Sequence, residues 1–449
     1  MGHRQGPEAH RVAGVATAFA LIVSNMIGTG VFTSLGFQVA GTHTGFALLA
    51  LWAIGGLVAL TGALTYAELG AALPQSGGEY VYLGRIYAPL AGFLGGWVSM
   101  TVGFAAPIAL AALAFGRYVA AVVPVPPLLA SVMLVAAVAA IHASDLRLAH
   151  RFQVTVTTLE LVLVVGFVVA GLAHDTPEPL GFAPSSLALG EVGSPGFAVS
   201  LIYVSYAYSG WNAAGYIAGE LARPQRVFPR ALVAATLVVT ALYLALNWTF
   251  LRSVPLTRLA GVVEVGALSA TELFGASGGR IMSGLIALLL TATVSAMVLA
   301  GSRVTEAVSR DLPSLSRIGV RSASGVPRNA ILLQVGLTLL LILTNSVEQV
   351  MTYTGFTLNL TTLATVIGVW VLRRNEPELP RPYRTWGYPV TPLFFVVASA
   401  WTLAFVLAER PAASLAGLAT LLLGAGIYAL DRRGRAASPG PGPRAGHDD

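Results

Sequence analysis

Apolar residues fall in about twelve blocks, most of them long enough to cross a bilayer as helices, with short polar or Gly/Pro-rich stretches between. The pattern predicts spans over roughly Val12–Val39, Gly45–Ala71, Ala88–Val119, Leu128–His142 and Thr155–Leu172. It continues with Phe197–Leu221, Ala231–Phe250, Ile281–Val304, Ala330–Leu343 and Val350–Leu372, and ends with Pro392–Leu407 and Ala412–Leu430. The first block is not uniform. Its centre reads IVSNMIGTGVF, Ile22–Phe32, with Ser24, Asn25, Gly28, Thr29 and Gly30 where hydrocarbon would demand an unbroken helix. Helix-weakening residues persist at that depth where the backbone lines a protein-enclosed cavity. A helix opening at Met26–Gly30 would leave free N–H groups and a positive dipole end for a carboxylate, and free carbonyls just before it for an ammonium or a cation. A zwitterion suits both. The plainer reading is that Gly28 and Gly30 only allow a neighbouring helix to pack closely.

The sixth block, AVSLIYVSYAYSGWNAAGYIAGE, is also interrupted near its middle, by Ser209–Gly210 beside Trp211 and Asn212. Two interrupted spans, five apart and opposite in direction, predict an inverted 5+5 repeat with a site at the midplane. The expected division is a segment 1–11, a first five-helix repeat over 12–172, a second over 195–374, two further helices over 389–430, and a disordered tail over 431–449. An ordinary small-residue packing face at Ser209–Gly210 is the competing explanation.

Composition agrees with a membrane protein. The chain has 449 residues, 55% hydrophobic and 10% charged, against about 25% charged in soluble domains. The polar start MGHRQGPEAHR followed by a long apolar run predicts no cleavable signal peptide. There is no Cys, which excludes disulfides and thiolate metal sites. The net charge of +6 rests on Arg alone, since no Lys occurs, and gives no reason to expect nucleic acid. An even number of spans puts both termini on one side. Placing them inside leaves Arg117, Arg252, Arg258, Arg280 and Arg410 as the clear outer arginines, as the positive-inside rule expects. The loop His174–Pro195, with Asp175, Glu178 and Glu191 and no Arg, falls outside.

Four stretches carry a likeness: IGTGVF at Ile27–Phe32, ELGAALPQSGGEYVYLGRIYAPLAGFLGGW at Glu68–Trp97, YAYSGWN at Tyr206–Asn212, and PELPRPYRTWGYPVTPLFF at Pro377–Phe395. Together they resemble the amino acid–polyamine–organocation (APC) transporters, with the nearest likeness to the L-type amino-acid transporter and bacterial amino-acid exchanger branch. The resemblance spans about Ala9 to Leu430 and implies an all-α polytopic membrane protein of the LeuT-type fold, twelve helices with the first and sixth broken. It also implies roles. Gly28, Thr29 and Gly30 match the break whose N–H groups hold the substrate carboxylate, and Met26 and Ile27 match the positions beside its ammonium. Tyr206 matches the aromatic gate, Ala207 and Tyr208 the carbonyl side of the second break, and Asn212 a polar residue near substrate.

Glu160 departs from the pattern. It lies nine residues past Arg151, about 13 Å along a helix and so near the middle of a core about 30 Å thick. A carboxyl at that depth is functional by default. Many members of the family resembled have Lys there, in place of a sodium ion. An acid cannot substitute for a cation. Three readings stand: a proton carrier, a contact to a cationic substrate or bound cation, or a structural acid hydrogen-bonded locally.

Other polar residues carry less. Glu68 and Glu220 are expected to meet inner-loop arginines, Asn247 and Asn359 to bond between helices, and Trp52, Trp97, Trp248 and Trp370 to pack or anchor. GGEY at Gly77–Tyr80 lacks the Lys-Ser/Thr of a phosphate loop, His142 and His150 have no metal-site spacing, and no hydrolase signature occurs. The expectation is a permease of the bacterial inner membrane, not an enzyme, moving amino acids by exchange, proton coupling or both. It needs no cofactor or metal and no disulfide-linked accessory subunit. The alternatives are a polyamine or basic amino-acid antiporter and, less well supported, a nutrient sensor, which would need a signalling domain or long tail.

Overall fold

The computed structural model describes residues 14–144, 147–174, 181–310, 313–322 and 326–437. The segment before Gly14, the stretch after Ala437, and Asp175 and Glu178 fall outside the described residues. Every regular element among the described residues is helical. In chain order these are α1 (Val15–Met26), α2 (Thr29–Thr33), α3 (Leu35–Gln38), α4 (Gly45–Ala72), α5 (Glu79–Ile86) and α6 (Pro89–Val98). A π-helical turn, Ser99–Phe104, leads into α7 (Ala105–Ala120), followed by α8 (Pro127–Ser144), α9 (Arg147–Leu172), α10 (Ser186–Val192) and α11 (Pro195–Tyr208). A 3-10 segment, Trp211–Glu220, precedes α12 (Pro224–Ser253), α13 (Leu256–Leu259) and α14 (Val265–Arg310). The chain closes with α15 (Arg328–Thr344), α16 (Val347–Asn375), α17 (Val390–Glu409) and α18 (Pro411–Ala437).

Among the described residues eight helical stretches are long and apolar enough to cross a membrane, or nine if the pair Ser186–Val192 and Pro195–Ala213, bent by 62°, counts as one. Three shorter apolar helices, Pro127–Ala143, Thr158–Leu172 and Arg328–Thr344, coincide with the fourth, fifth and ninth blocks of the sequence. The protein is therefore a multi-pass helical membrane protein.

The two interrupted blocks are interrupted in space. After Met26 the backbone leaves the helical region at Ile27 (φ −72°, ψ 118°) and is fully extended at Gly28 (φ −175°, ψ −151°), and helix resumes at Thr29. In the sixth block α11 stops at Tyr208, Ser209 is extended, and Gly210 takes φ 101°, a left-handed conformation open chiefly to glycine. The two breaks lie against each other. A Cβ on Gly210 would stand 2.5 Å from the Asn25 carbonyl oxygen.

Around them α4 runs along α12, α7 along α14, and α1 against α12 and the Trp211–Glu220 segment. The long Gly-rich motif after Glu68 forms the turn from α4 into the packed pair α5 and α6. Gly92 meets Gly84 there so closely that a Cβ on Gly92 would lie 2.7 Å from the Gly84 Cα. The Pro377–Phe395 motif closes over the same end of the molecule. Arg373 grips the Glu68 carboxylate with two nitrogens, Nε at 2.8 Å and Nη2 at 2.6 Å. Thr385 adds its backbone N–H and its hydroxyl, at 2.7 and 2.8 Å. The Arg373 guanidinium also stacks 3.6 Å above the Tyr388 ring. Glu68 thus meets an arginine as its position suggested, and Thr385 of the motif completes its shell of donors.

Candidate functional site

The two breaks open on one cavity of about 450 Å³, within the usual size of small-molecule sites. Gly28, Thr29 and Gly30 line it from the first break, with Tyr206, Ala207 and Asn212 from the second. The π-helical turn contributes Ser99, Gly103 and Phe104, a common place for a π-bulge. The cavity extends to Ser76, Gly77 and the exposed Arg303.

The sequence-predicted residues divide by role. Gly28 faces open space, since a Cβ built there meets nothing within 4 Å, whereas Gly30 is pressed onto Ala207, whose Cα would be 2.6 Å from such an atom. Close packing against a neighbouring helix, the plainer reading of the glycines, thus describes Gly30 and not Gly28. Helix α2 has no side-chain cap, and its first N–H groups have no carbonyl one turn back to meet. Just before the break, Ser24 and Asn25 side chains both turn back to the Leu21 carbonyl, at 3.1 and 2.8 Å. Met26 and Ile27 are buried and border the cavity. Tyr206 is 7% exposed, and its hydroxyl approaches the Thr29 side chain across the gap. Tyr208 also lines the cavity, and its hydroxyl donates to the Trp52 carbonyl at 3.0 Å.

Two residues that the sequence did not single out organise the site. Tyr243, on α12, donates its hydroxyl to the Met26 carbonyl and stands 3.1 Å from the Ala207 carbonyl, so it joins the ends of α1 and α11. Met26 and Ala207 are the very carbonyls that the ammonium was expected to meet, and each keeps a second lone pair. Nothing in the run LYLALNW marks that tyrosine in advance.

Glu79 is the other. It opens α5, is 4% exposed, and borders the cavity. Its Oε1 accepts from Tyr66 at 3.1 Å and from Asn212 Nδ2, and its Oε2 accepts from Tyr216 at 3.1 Å. Here a signal existed: Glu79, Tyr82, Leu83 and Ile86 are the buried face of α5, and their spacing of 0, 3, 4 and 7 is that of one helix stripe.

Glu160 is buried, at 6% exposure, but does not border the cavity. It lies on α9, which packs against α12 and α14, within electrostatic reach of Tyr243. No Arg or His among the described residues pairs with it. Of the two mid-span asparagines, Asn247 bonds back to Tyr243 in its own helix at 2.9 Å, whereas Asn359 borders the cavity with its Oδ1 unpartnered.

A family model described as amino acid permease matches residues 14–425, nearly the whole chain. This chain belongs to that family. Its relatives include the large neutral amino acids transporter small subunit 2 of Mus musculus, 31% identical over 432 residues, covering 93% of this chain and 80% of the relative. The Asc-type amino acid transporter 1 of Mus musculus is 31% identical over 436 residues, with the same coverage of each chain. The serine/threonine exchanger SteT of Bacillus subtilis (strain 168) is 26% identical over 408 residues, 89% of this permease and 92% of the exchanger. The APC resemblance is thereby confirmed, and the permease is a membrane transporter of amino acids. Its mechanical parts suit transport. They are a cavity within the helices, two interrupted spans bordering it, and an aromatic side chain over the gap.

Proposed function

We propose that this permease exchanges neutral amino acids across a bacterial inner membrane through a LeuT-type arrangement of twelve helices in two inverted five-helix repeats, with both termini cytoplasmic. Eight long apolar helices, the bent pair and three shorter apolar helices are compatible with twelve crossings. Opposed breaks in the first and sixth are what that architecture requires. Exchange is the mode named for SteT, and neutral side chains are named for the first relative.

The observation that carries the reading is the meeting of the two breaks on one cavity. The substrate α-carboxylate sits on the N–H groups of Gly28, Thr29 and Gly30, where the dipole of the resuming helix favours negative charge. Its ammonium lies near the carbonyls of Met26, Ile27, Ala207 and Tyr208. Tyr206 closes the site from the outer side. The cavity's reach to Arg303 fits a conformation open to the cytoplasm. Glu160, one helix behind Tyr243, is the acid for proton or cation coupling, where coupling accompanies exchange. With no Cys in the chain, no disulfide can fix an accessory subunit.

Purified protein in liposomes tests this. Uptake of labelled neutral amino acid should accelerate when the same amino acid is loaded inside. Uptake restricted to polyamines or basic amino acids would replace the substrate class, and binding without flux would replace transport by sensing.

A further inference from the structure

Asn212 borders the cavity next to the Ser209–Gly210 break, and one end of its carboxamide is already taken. Its Nδ2 donates to Glu79 Oε1. A carboxylate oxygen that accepts this bond pairs with the NH₂ end of the amide. The orientation of the amide is thus set by its partner. Oδ1 is left without a donor among the described residues. Glu79 is itself held in place from two other elements. Tyr66 on α4 and Tyr216 in the Trp211–Glu220 segment each donate to it at 3.1 Å, and the Tyr216 hydroxyl lies 3.1 Å from Ser99 in the π-helical turn. The backbone beside it is fixed as well. The N–H groups of Gly77 and Gly78 both donate to the Gly215 carbonyl, at 3.3 and 3.2 Å, and the Gly219 N–H donates to Ser76 Oγ at 3.0 Å.

We propose that Glu79 is a positioning residue of the substrate site: it fixes the Asn212 amide so that Oδ1 is offered to the cavity as an acceptor, and the substrate group read there is a hydrogen-bond donor, an ammonium or hydroxyl rather than a carboxylate. The inference rests on the transport reading above and adds a polarity to it. Were the amide reversed, Nδ2 would face the ligand and favour the carboxylate end, competing with the N–H groups around Gly28–Gly30. The Glu79 carboxylate removes that ambiguity. Glutamine in its place would not, because a Gln amide can present either end to Asn212.

The test measures binding of radiolabelled L-serine and L-leucine to the purified full chain, beside exchange in liposomes. Glu79→Gln should weaken binding about tenfold, and Glu79→Asp, which keeps an acceptor, should recover most of the loss. In an Asn212→Ala background Glu79→Gln should have no further effect, since the amide it orients is gone. Additive losses in the double variant, or unchanged affinity in E79Q, would overturn the proposal. If E79Q does not yield a monodisperse protein, Asn212→Asp decides. Two facing carboxylates should bind worse than N212A, and N212D binding as well as the wild type overturns the assignment. Absence of exchange by the wild type would instead overturn the transport reading on which the proposal stands.

Discussion

Gly30 lies so close to Ala207 that a methyl group on Gly30 would come within 2.7 Å of the Ala207 Cβ. The two broken spans are therefore pressed together here, as they are where Gly210 meets Asn25, while Gly28, two residues before Gly30, faces open space. Substituting each with Ala should separate packing from binding. G30A must push the spans apart, at about 1–3 kcal/mol, and should lower the melting temperature of the detergent-purified protein. G28A, at an extended backbone position any residue adopts, should leave melting unchanged and reduce substrate affinity by filling the site. Equal melting of the two variants would contradict this division.

Tyr243→Phe removes the hydroxyl that joins Met26 to Ala207 and alters little else in shape. Leaving buried carbonyls short of a donor costs about 1–3 kcal/mol. The expected outcome is exchange slowed about tenfold or more, with a protein that still folds, checked by initial rates and size-exclusion profiles.

Glu160→Gln tests coupling at the buried acid of α9. If Glu160 carries the coupled proton, the wild type should change its initial uptake rate with external pH, and E160Q should give a flatter profile at a comparable expression level. An identical profile in both proteins assigns Glu160 a structural role.

The Glu68 cluster makes a prediction about stability. Arg373 meets this 2% exposed carboxylate with two nitrogens, and removing one partner of a buried pair costs about 3–5 kcal/mol. Arg373→Ala should lower the melting temperature strongly. Arg373→Lys should recover only part of it, because an ammonium cannot reproduce the paired nitrogens or the stacking on Tyr388.

What the sequence disclosed, it disclosed through periodicity and through residues that are costly in hydrocarbon. Both breaks were legible because glycine and small polar residues stand at mid-span in Ile22–Phe32 and Tyr206–Asn212. Glu68 was legible because an acid at a span end needs a basic partner. Glu160 was legible for its depth, but depth along a helix does not say which way a side chain points, and it lies behind Tyr243 rather than on the cavity. Tyr243 itself was hidden, since a tyrosine among leucines looks like packing until its hydroxyl finds carbonyls from two other helices. Glu79 was hidden differently. Its neighbours Gly77 and Gly78 interrupt any helical pattern before it, and the helical stripe it begins is only two turns long. Asn212 was expected beside substrate, and it borders the cavity with its amide nitrogen turned to Glu79.

The Tyr243 hydroxyl has one hydrogen and two carbonyls within reach, Met26 and Ala207. It can satisfy only one of them at a time. A substrate ammonium bound where we propose would bring hydrogens enough for both carbonyls. The ends of α1 and α11 would then be held by the occupant as well as by Tyr243, so that filling the cavity and fastening the two broken spans together become one event.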